Sequence, residues 1–294
     1  MKEGVSLKNF YIITNEKKDP GLVATKEIVE YISKMGGKCV IAETNKRQLT
    51  KDGGYTMKEQ VPKDTEGILV LGGDGTLILA VRDLAELGLP FLGINFGNLG
   101  FLAEVEKGNV EASIDALLAD KFIIEERMMV EGSVIRNGEV IANKTALNDI
   151  VFARTGGALR ILDYKICLNG EPFNSYSGDG LIIATPTGST AYNLSVGGPI
   201  VSPAAKLLIL TPICPHTISS RSIVLPECDT IEVEVCKDRN GFDDSMQLFY
   251  DGGEAVMLKA GDRISVKAAK ENTKIIRIKR ISFIEQLRNK MGSN

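Results

Sequence analysis

In ILVLGGDGTLILAVRDLAEL, residues 68–87, an unbroken apolar run meets a cluster of glycines around an aspartate, and apolar residues then recur at helical spacing. Ile68 to Leu71 predict a short buried strand, Gly72-Gly73-Asp74-Gly75-Thr76 a tight turn, and Leu77, Val81, Leu84 and Leu87 the inner face of a helix. Glycines at 72, 73 and 75 let backbone N–H groups approach an anion that side chains would block, and the N-terminus of the following helix adds a field that favours phosphate. Asp74 would repel a phosphate that was its only neighbour, so it is expected to be a proton acceptor or a partner for Mg²⁺. A plain strand-to-helix turn is the rival explanation. Two familiar phosphate loops are excluded: Gly37-Lys38 is followed by Cys39 and lacks the spaced glycine of a Walker A loop, and Gly73-Asp74-Gly75 reaches Ile78 where a dinucleotide fingerprint needs its third glycine.

On either side of this stretch the pattern stays α/β. Residues 9–14 (NFYIIT) and 39–42 (CVIA) are apolar runs flanking helical spacing at Leu22, Ile28, Val29 and Ile32, and Pro90 precedes a further strand from Phe91 to Ile94. Residues 44–66 are polar and read as a long loop containing Asp52-Gly53-Gly54. The texture changes near residue 128, where short alternating runs are punctuated by Asn137-Gly138, Asn169-Gly170 and Asn240-Gly241, dipeptides suited to hairpin turns. Tyr164, Ile166 and Leu168 alternate, as do Ile231, Val233 and Val235, and Ile264 and Val266. The expected architecture is an N-terminal α/β domain with a Rossmann-like parallel sheet (1–125), completed by a last strand and short helix in 272–294, plus a C-terminal antiparallel, sandwich-like β domain (126–271).

Composition narrows the class. Hydrophobic residues make up 44% and charged residues 25% of 294, and 35 Lys and Arg against 38 Asp and Glu leave a net charge of −3, so a dedicated nucleic-acid binder is not expected. No apolar leader or spanning segment is apparent, which makes the cytoplasm the expected compartment and a membrane an unexpected partner. Cys39, Cys167, Cys214, Cys228 and Cys236 form no CxxC pair and suit a reducing compartment. With one histidine, His216, a packed and hydrogen-bonded imidazole is expected there, and a carboxylate is the better general base.

A second cluster runs from Ser177-Gly178-Asp179-Gly180 through the strand Leu181 to Ala184 and on to Thr185-Pro186-Thr187-Gly188-Ser189-Thr190-Ala191-Tyr192-Asn193-Leu194-Ser195, then Gly197-Gly198-Pro199. Its hydroxyls offer neutral hydrogen bonds, Tyr192 offers a flat surface for a base, and the small residues admit a ligand to the backbone, a composition suited to a nucleoside. Asn148-Asp149 pairs an amide with a carboxylate, which suits ribose hydroxyls and equally a turn. Asp251-Gly252-Gly253 reads equally as a plain turn.

Together these segments resemble the NAD kinase family along nearly the whole chain. GGDGT at 72–76 is shared with phosphofructokinases and with diacylglycerol and sphingosine kinases; the segment from Gly93 to Leu102, the run Asp179 to Pro199 and the stretch Pro215-His216 to Pro226 are similar to NAD kinases in particular. The resemblance implies a kinase that phosphorylates NAD from ATP or another phosphoryl donor, with Mg²⁺ or another divalent cation. It implies Asp74 as general base, with Asp74 and Gly75 facing the NAD ribose and phosphates. Asn148 and Asp149 would hold sugar hydroxyls, and Asp179 and Thr190, Ala191, Tyr192, Asn193, Leu194 and Ser195 would line the dinucleotide site, with Arg160 carried over beside them. A homodimer or homotetramer is implied too. Three positions depart from the family pattern: Asp149 stands where Glu is usual, Ser177 where some members have a basic residue, and Gly253 where Gln is common.

Overall fold

The computed structural model describes residues 6–42, 56–97, 100–154, 161–217, 220–236, 246–253, 255–278 and 281–292. Arg160, Asn98, Leu99, the Asn240-Gly241 turn and Asp52-Gly53-Gly54 of the long loop lie outside them. The chain divides into two compact units, Met1–Glu126 with Thr273–Asn294, and Arg127–Asn272.

In the first unit the chain runs β1 (Asn9–Thr14), α1 (Val23–Lys34), β2 (Lys38–Ile41), β3 (Gly67–Gly72), α2 (Asp74–Leu84), β4 (Pro90–Asn95), β5 (Val105–Glu106), α3 (Val110–Leu118) and β6 (Ile123–Arg127). All residues of β3 and β4 are buried, which is why their sequences are continuous apolar runs rather than alternating ones. Helix α1 starts at Val23, because Leu22 takes a left-handed conformation at its entry. The Asp19 carboxylate accepts the otherwise unpaired N–H groups of Ala24 at 3.1 Å and Thr25 at 2.9 Å. Ala24, Thr25, Ile28 and Ile32 form its buried stripe.

Sheet order among the described residues is β2-β1-β3-β4, then the last strand Thr273–Arg277, then β6, with β5 beside β4. Strands β1 to β4 and Thr273–Arg277 pair in parallel. From β1 the chain first steps to β2 on one side and then crosses to β3 on the other. A crevice therefore opens between the carboxyl ends of β1 and β3, the place where open α/β sheets bind ligands. Thr273–Arg277 is followed by a helix, Phe283–Met291, whose Ser282 side chain accepts the Glu285 N–H.

The second unit contains two six-stranded antiparallel sheets among its described residues. One side chain cluster draws on both: Val134, Tyr164, Val233 and Ile264 from one sheet meet Phe152, Ile183, Leu210 and Leu248 from the other. Tyr164 donates to the Gly180 carbonyl at 2.7 Å and Tyr250 to the Gly132 carbonyl at 2.9 Å, tying the sheets across this core. Asn137-Gly138 and Asn169-Gly170 have positive φ at both residues, the geometry of a two-residue hairpin turn that matches strand twist. Strand Gly180–Ala184 is buried on both faces, since Val196 and Val201 pack with Ile182 and Ala184 on the side away from the sandwich core.

Candidate active site

At the end of β3 the backbone closes on itself. A β-carbon at Gly72 would lie 2.4 Å from Oγ1 of Thr76, so glycine is what lets Thr76 fold back over the turn. Asn15, just beyond β1, donates its amide N–H to that hydroxyl at 3.2 Å and its backbone N–H to the Leu71 carbonyl at 2.9 Å. The Thr76 and Leu77 amides return to the Gly73 carbonyl, and no side chain caps α2. Asp74 and Gly75, at the first two positions of α2, therefore present backbone N–H groups with no intrahelical acceptor, at the positive end of the helix dipole. Gly75 is exposed and Asp74 half-buried.

The Asp74 carboxylate is held in one orientation. Oδ2 accepts the Phe101 N–H at 2.7 Å, and Oδ1 accepts those of Leu102 at 3.2 Å and Ala103 at 3.0 Å. A carboxylate offers about four lone-pair sites, so Oδ2 keeps one for a proton. Gly100 lies so close that a β-carbon there would stand 1.9 Å from Oδ1. The segment that grips Asp74 is itself gripped: Arg277 donates to the carbonyls of Leu102 at 2.9 Å and Phe101 at 3.5 Å, and pairs with Glu104 and Glu125.

In the second unit, Asn148 and Asp149 sit at the start of strand Asp149–Arg154, opposite the end of Gly180–Ala184, and both are buried. Their backbone is fixed by Asp251, whose carboxylate accepts the N–H groups of Leu147 at 2.7 Å, Asn148 at 2.7 Å and Asp149 at 3.2 Å. Asp251 is thus more than a turn residue. Burial, and then the charge of Asp251, push the Asp149 carboxyl up from 3.8 to about 7. The Asn148 carbonyl accepts from Thr185, and a β-carbon at Gly188 would lie 2.0 Å from it, so the 185–190 turn packs directly on the Asn148 backbone.

The predicted nucleoside segment divides by function. Thr190 and Ala191 are half-buried, and Tyr192, Leu194 and Ser195 are exposed. Asn193 is wholly buried: its amide donates to the Ser189 and Pro199 carbonyls, and its Oδ1 accepts from Thr211 at 2.7 Å. Its side chain holds the loop rather than facing a ligand. Asp179 lies at the opposite end of Gly180–Ala184 from Thr185, roughly 20 Å away at strand rise, where it pairs with Arg154 at 2.8 Å. Asn148, Asp149 and the 185–190 turn are therefore brought together, and Asp179 is not among them. Ser177 donates to the Asp163 carboxylate, and the Gly253 N–H closes a turn onto the Tyr250 carbonyl. His216 departs from its expected packing: it is exposed, and its backbone N–H donates to the Ser177 carbonyl just beyond the strand end.

Gly100, within the Gly93–Leu102 segment, and Asp251, in its turn motif, give no sign in the sequence of the distant groups they meet, and Arg277 is singled out by no motif at all. No helix among the described residues is long and apolar enough to cross a membrane, and the five cysteines are unpaired.

Comparison with known proteins agrees with the fold. Residues 10–122 match the ATP-NAD kinase N-terminal domain and residues 147–278 the ATP-NAD kinase C-terminal domain. The NAD kinase of Lachnospira eligens is 41% identical over 294 residues, covering 97% of this chain and 100% of its own length. That of Agathobacter rectalis is 43% identical over 287 residues, covering 98% and 99%. Among solved structures, yeast NADH kinase complexed with NADH superposes with a TM-score of 0.81 at 25% identity, over 98% of this chain and 88% of that one. An NAD kinase from Archaeoglobus fulgidus in complex with ATP shares the fold, with a TM-score of 0.73 at 22% identity over 97% of each chain.

Proposed function

This chain belongs to the NAD kinase family, and from that premise we propose that it transfers the terminal phosphoryl group of ATP to the 2′-hydroxyl of the adenosine ribose of NAD, giving NADP. The observation that carries the proposal is the anchored carboxylate of Asp74 beside an uncapped helix N-terminus. The ribose 2′-oxygen attacks the γ-phosphorus, the bond to the β–γ bridging oxygen breaks, ADP leaves, and the hydroxyl proton passes to Asp74. Base catalysis of this kind is worth about 10²–10⁴-fold, and positioning supplies most of the rest. Gly72, Gly73, Gly75 and Thr76 shape the phosphate loop.

Asn148 and Asp149 supply an amide and a carboxylate for sugar hydroxyls, while Thr190, Ala191, Tyr192, Leu194 and Ser195 supply backbone, hydroxyl and ring contacts to the dinucleotide. Asp179, at the far end of its strand from these residues, and Arg160 are assigned to the dinucleotide on the resemblance alone. Mg²⁺ or another divalent cation would be held through the donor's phosphate oxygens and water, as is usual for this ion, and would shield phosphate charge. Among the described residues no three His, Cys, Asp or Glu side chains cluster as a separate cage. Unpaired thiols support a cytoplasmic setting; the family resemblance supports a homodimer or homotetramer, which sedimentation would measure.

The test is NADP formation by purified protein from ATP, Mg²⁺ and NAD, with NADH and polyphosphate in parallel. Asp74→Asn should retain NAD binding and lose most turnover. Full activity in that variant would remove Asp74 from the chemistry, and tight NAD binding without product from any donor would make the protein a dinucleotide sensor.

A further inference from the structure

A lysine lies beside the glycine loop at the carboxyl ends of β1 and β3. Lys18 follows β1 in a tight turn, its N–H donating to the Asn15 carbonyl at 2.8 Å, and Asn15 also grips the glycine loop through Thr76. The Lys18 ammonium lies 2.8 Å from where a β-carbon on Gly73 would stand and 3.1 Å from the same point on Gly97. It thus fills the space that these two glycines leave open, beside the unsatisfied amides that open α2. Lys18 is exposed, and no carboxylate pairs with it among the described residues.

The same niche holds an unsatisfied acceptor. Asn95 ends β4, is only 4% exposed, and donates its amide to the Gly97 carbonyl at 3.0 Å, which fixes which way the group points. Its Oδ1 has no partner, and lies 4.0 Å from the β-carbon position of Gly73 and 3.9 Å from that of Gly97. A buried acceptor left unpaired is unfavourable unless something completes it. An ammonium has three donors. With an anion bound beside it, the Lys18 ammonium can give one to a phosphate oxygen and, by a small shift, one to Asn95 Oδ1, which would then aim it.

We propose that Lys18 and Asn95 form a binding site for a linear oligophosphate at the mouth of the GGDGT loop, with Lys18 neutralising a phosphate of the phosphoryl donor and Asn95 positioning Lys18. This rests on the kinase reading of the same loop and assigns the oligophosphate to the donor rather than to NAD. ATP and inorganic polyphosphate carry the same chemistry here.

The experiment uses the full chain and the variants Lys18→Gln and Lys18→Arg. Calorimetric titration with inorganic tripolyphosphate and with ATP, each with Mg²⁺, measures binding apart from turnover, and steady-state kinetics give KM for ATP and for NAD separately. Lys18→Gln should weaken tripolyphosphate binding and raise the KM for ATP by about 10-fold or more, the loss expected for one charge-assisted hydrogen bond. The KM for NAD and the melting temperature should stay near wild type, since Lys18 is exposed, and Lys18→Arg should recover most of the affinity. An equal loss for ATP and tripolyphosphate assigns the site to the phosphate chain, whereas a loss confined to ATP, with tripolyphosphate binding unchanged, overturns the oligophosphate assignment. Unchanged affinity for both ligands in Lys18→Gln overturns the proposal, as does a rise in KM for NAD alone. Failure of the kinase reading is separable: Lys18-dependent tripolyphosphate binding in a protein that makes no NADP would leave this site standing.

Discussion

Replacing Gly100 with alanine would introduce a methyl group 1.9 Å from Oδ1, 2.1 Å from Cγ and 2.2 Å from Oδ2 of Asp74. Carbon and oxygen atoms not bonded to one another settle near 3.5 Å, so one of them must move by roughly 1.5 Å. Phe101, Leu102 and Ala103, which follow directly, supply the N–H groups at 2.7, 3.2 and 3.0 Å that hold the carboxylate, so the displacement breaks these bonds whichever side yields. Hydrogen bonds to a charged group contribute about 1.5–3 kcal/mol each, and a base displaced by about 1 Å costs on the order of 10²-fold in rate. Gly100→Ala should therefore lower kcat for NADP formation by about 10²-fold or more, with little change in NAD affinity. Because the substitution acts through Asp74, adding it to Asp74→Asn should cost little further activity, the non-additivity expected of groups working as a unit. Wild-type turnover in Gly100→Ala, or multiplicative losses in the double variant, would refute the reasoning.

Two further expectations concern groups that support the site. Asp149 titrates near 7 in the folded protein, because burial and then the Asp251 charge disfavour its anion, against an ordinary 3.8. Between these values the folded state binds the extra proton, so the contribution to stability is fully present below about pH 4 and is lost as pH rises toward about 7. Urea unfolding across that window should show a decline that Asp149→Asn flattens; an unchanged pH slope would contradict it. Arg277, with 7% side-chain exposure, pairs with Glu104 at 4% exposure, so Arg277→Met removes the cation beside a buried carboxylate, at about 3–5 kcal/mol. It also releases the Phe101 and Leu102 carbonyls, so kcat should fall further than KM for NAD changes, and an unaltered kcat in folded variant protein would sever Arg277 from Asp74.

Residues 68–87 are legible because strand, turn and helix there each depend on neighbours a few positions away. The same holds for Asn137-Gly138 and Asn169-Gly170, where a positive φ is a property of the residues themselves. Parallel and antiparallel sheets follow from continuous apolar runs in one part and alternating ones in the other. The entry to α1 differed from its apolar spacing because Asp19, outside the helix, takes the first amides and leaves Leu22 in the turn.

Local pattern carries no information about which distant backbone a side chain meets. Asp74 reads as a carboxylate in a phosphate loop, yet what orients it is a strip of amides 27–29 positions later, held in turn by an arginine 175 positions beyond Leu102. Asn193 shares a motif with exposed Tyr192 and Leu194 but turns inward to Thr211, because the short helix Tyr192–Ser195 presents one face to solvent and the other to the sheet. Asp251 looks like a turn residue until folding places its carboxylate under three amides more than 100 positions earlier. The sequence by itself determined the elements, their class and the chemical types gathered in each motif, since these depend on short-range periodicity and on conformational preference. Only the tertiary structure decided which carboxylates are anchored, which amide is buried and which lysine lies in the glycine niche, because a hydrogen bond forms where strand order and packing bring its partners within about 3 Å.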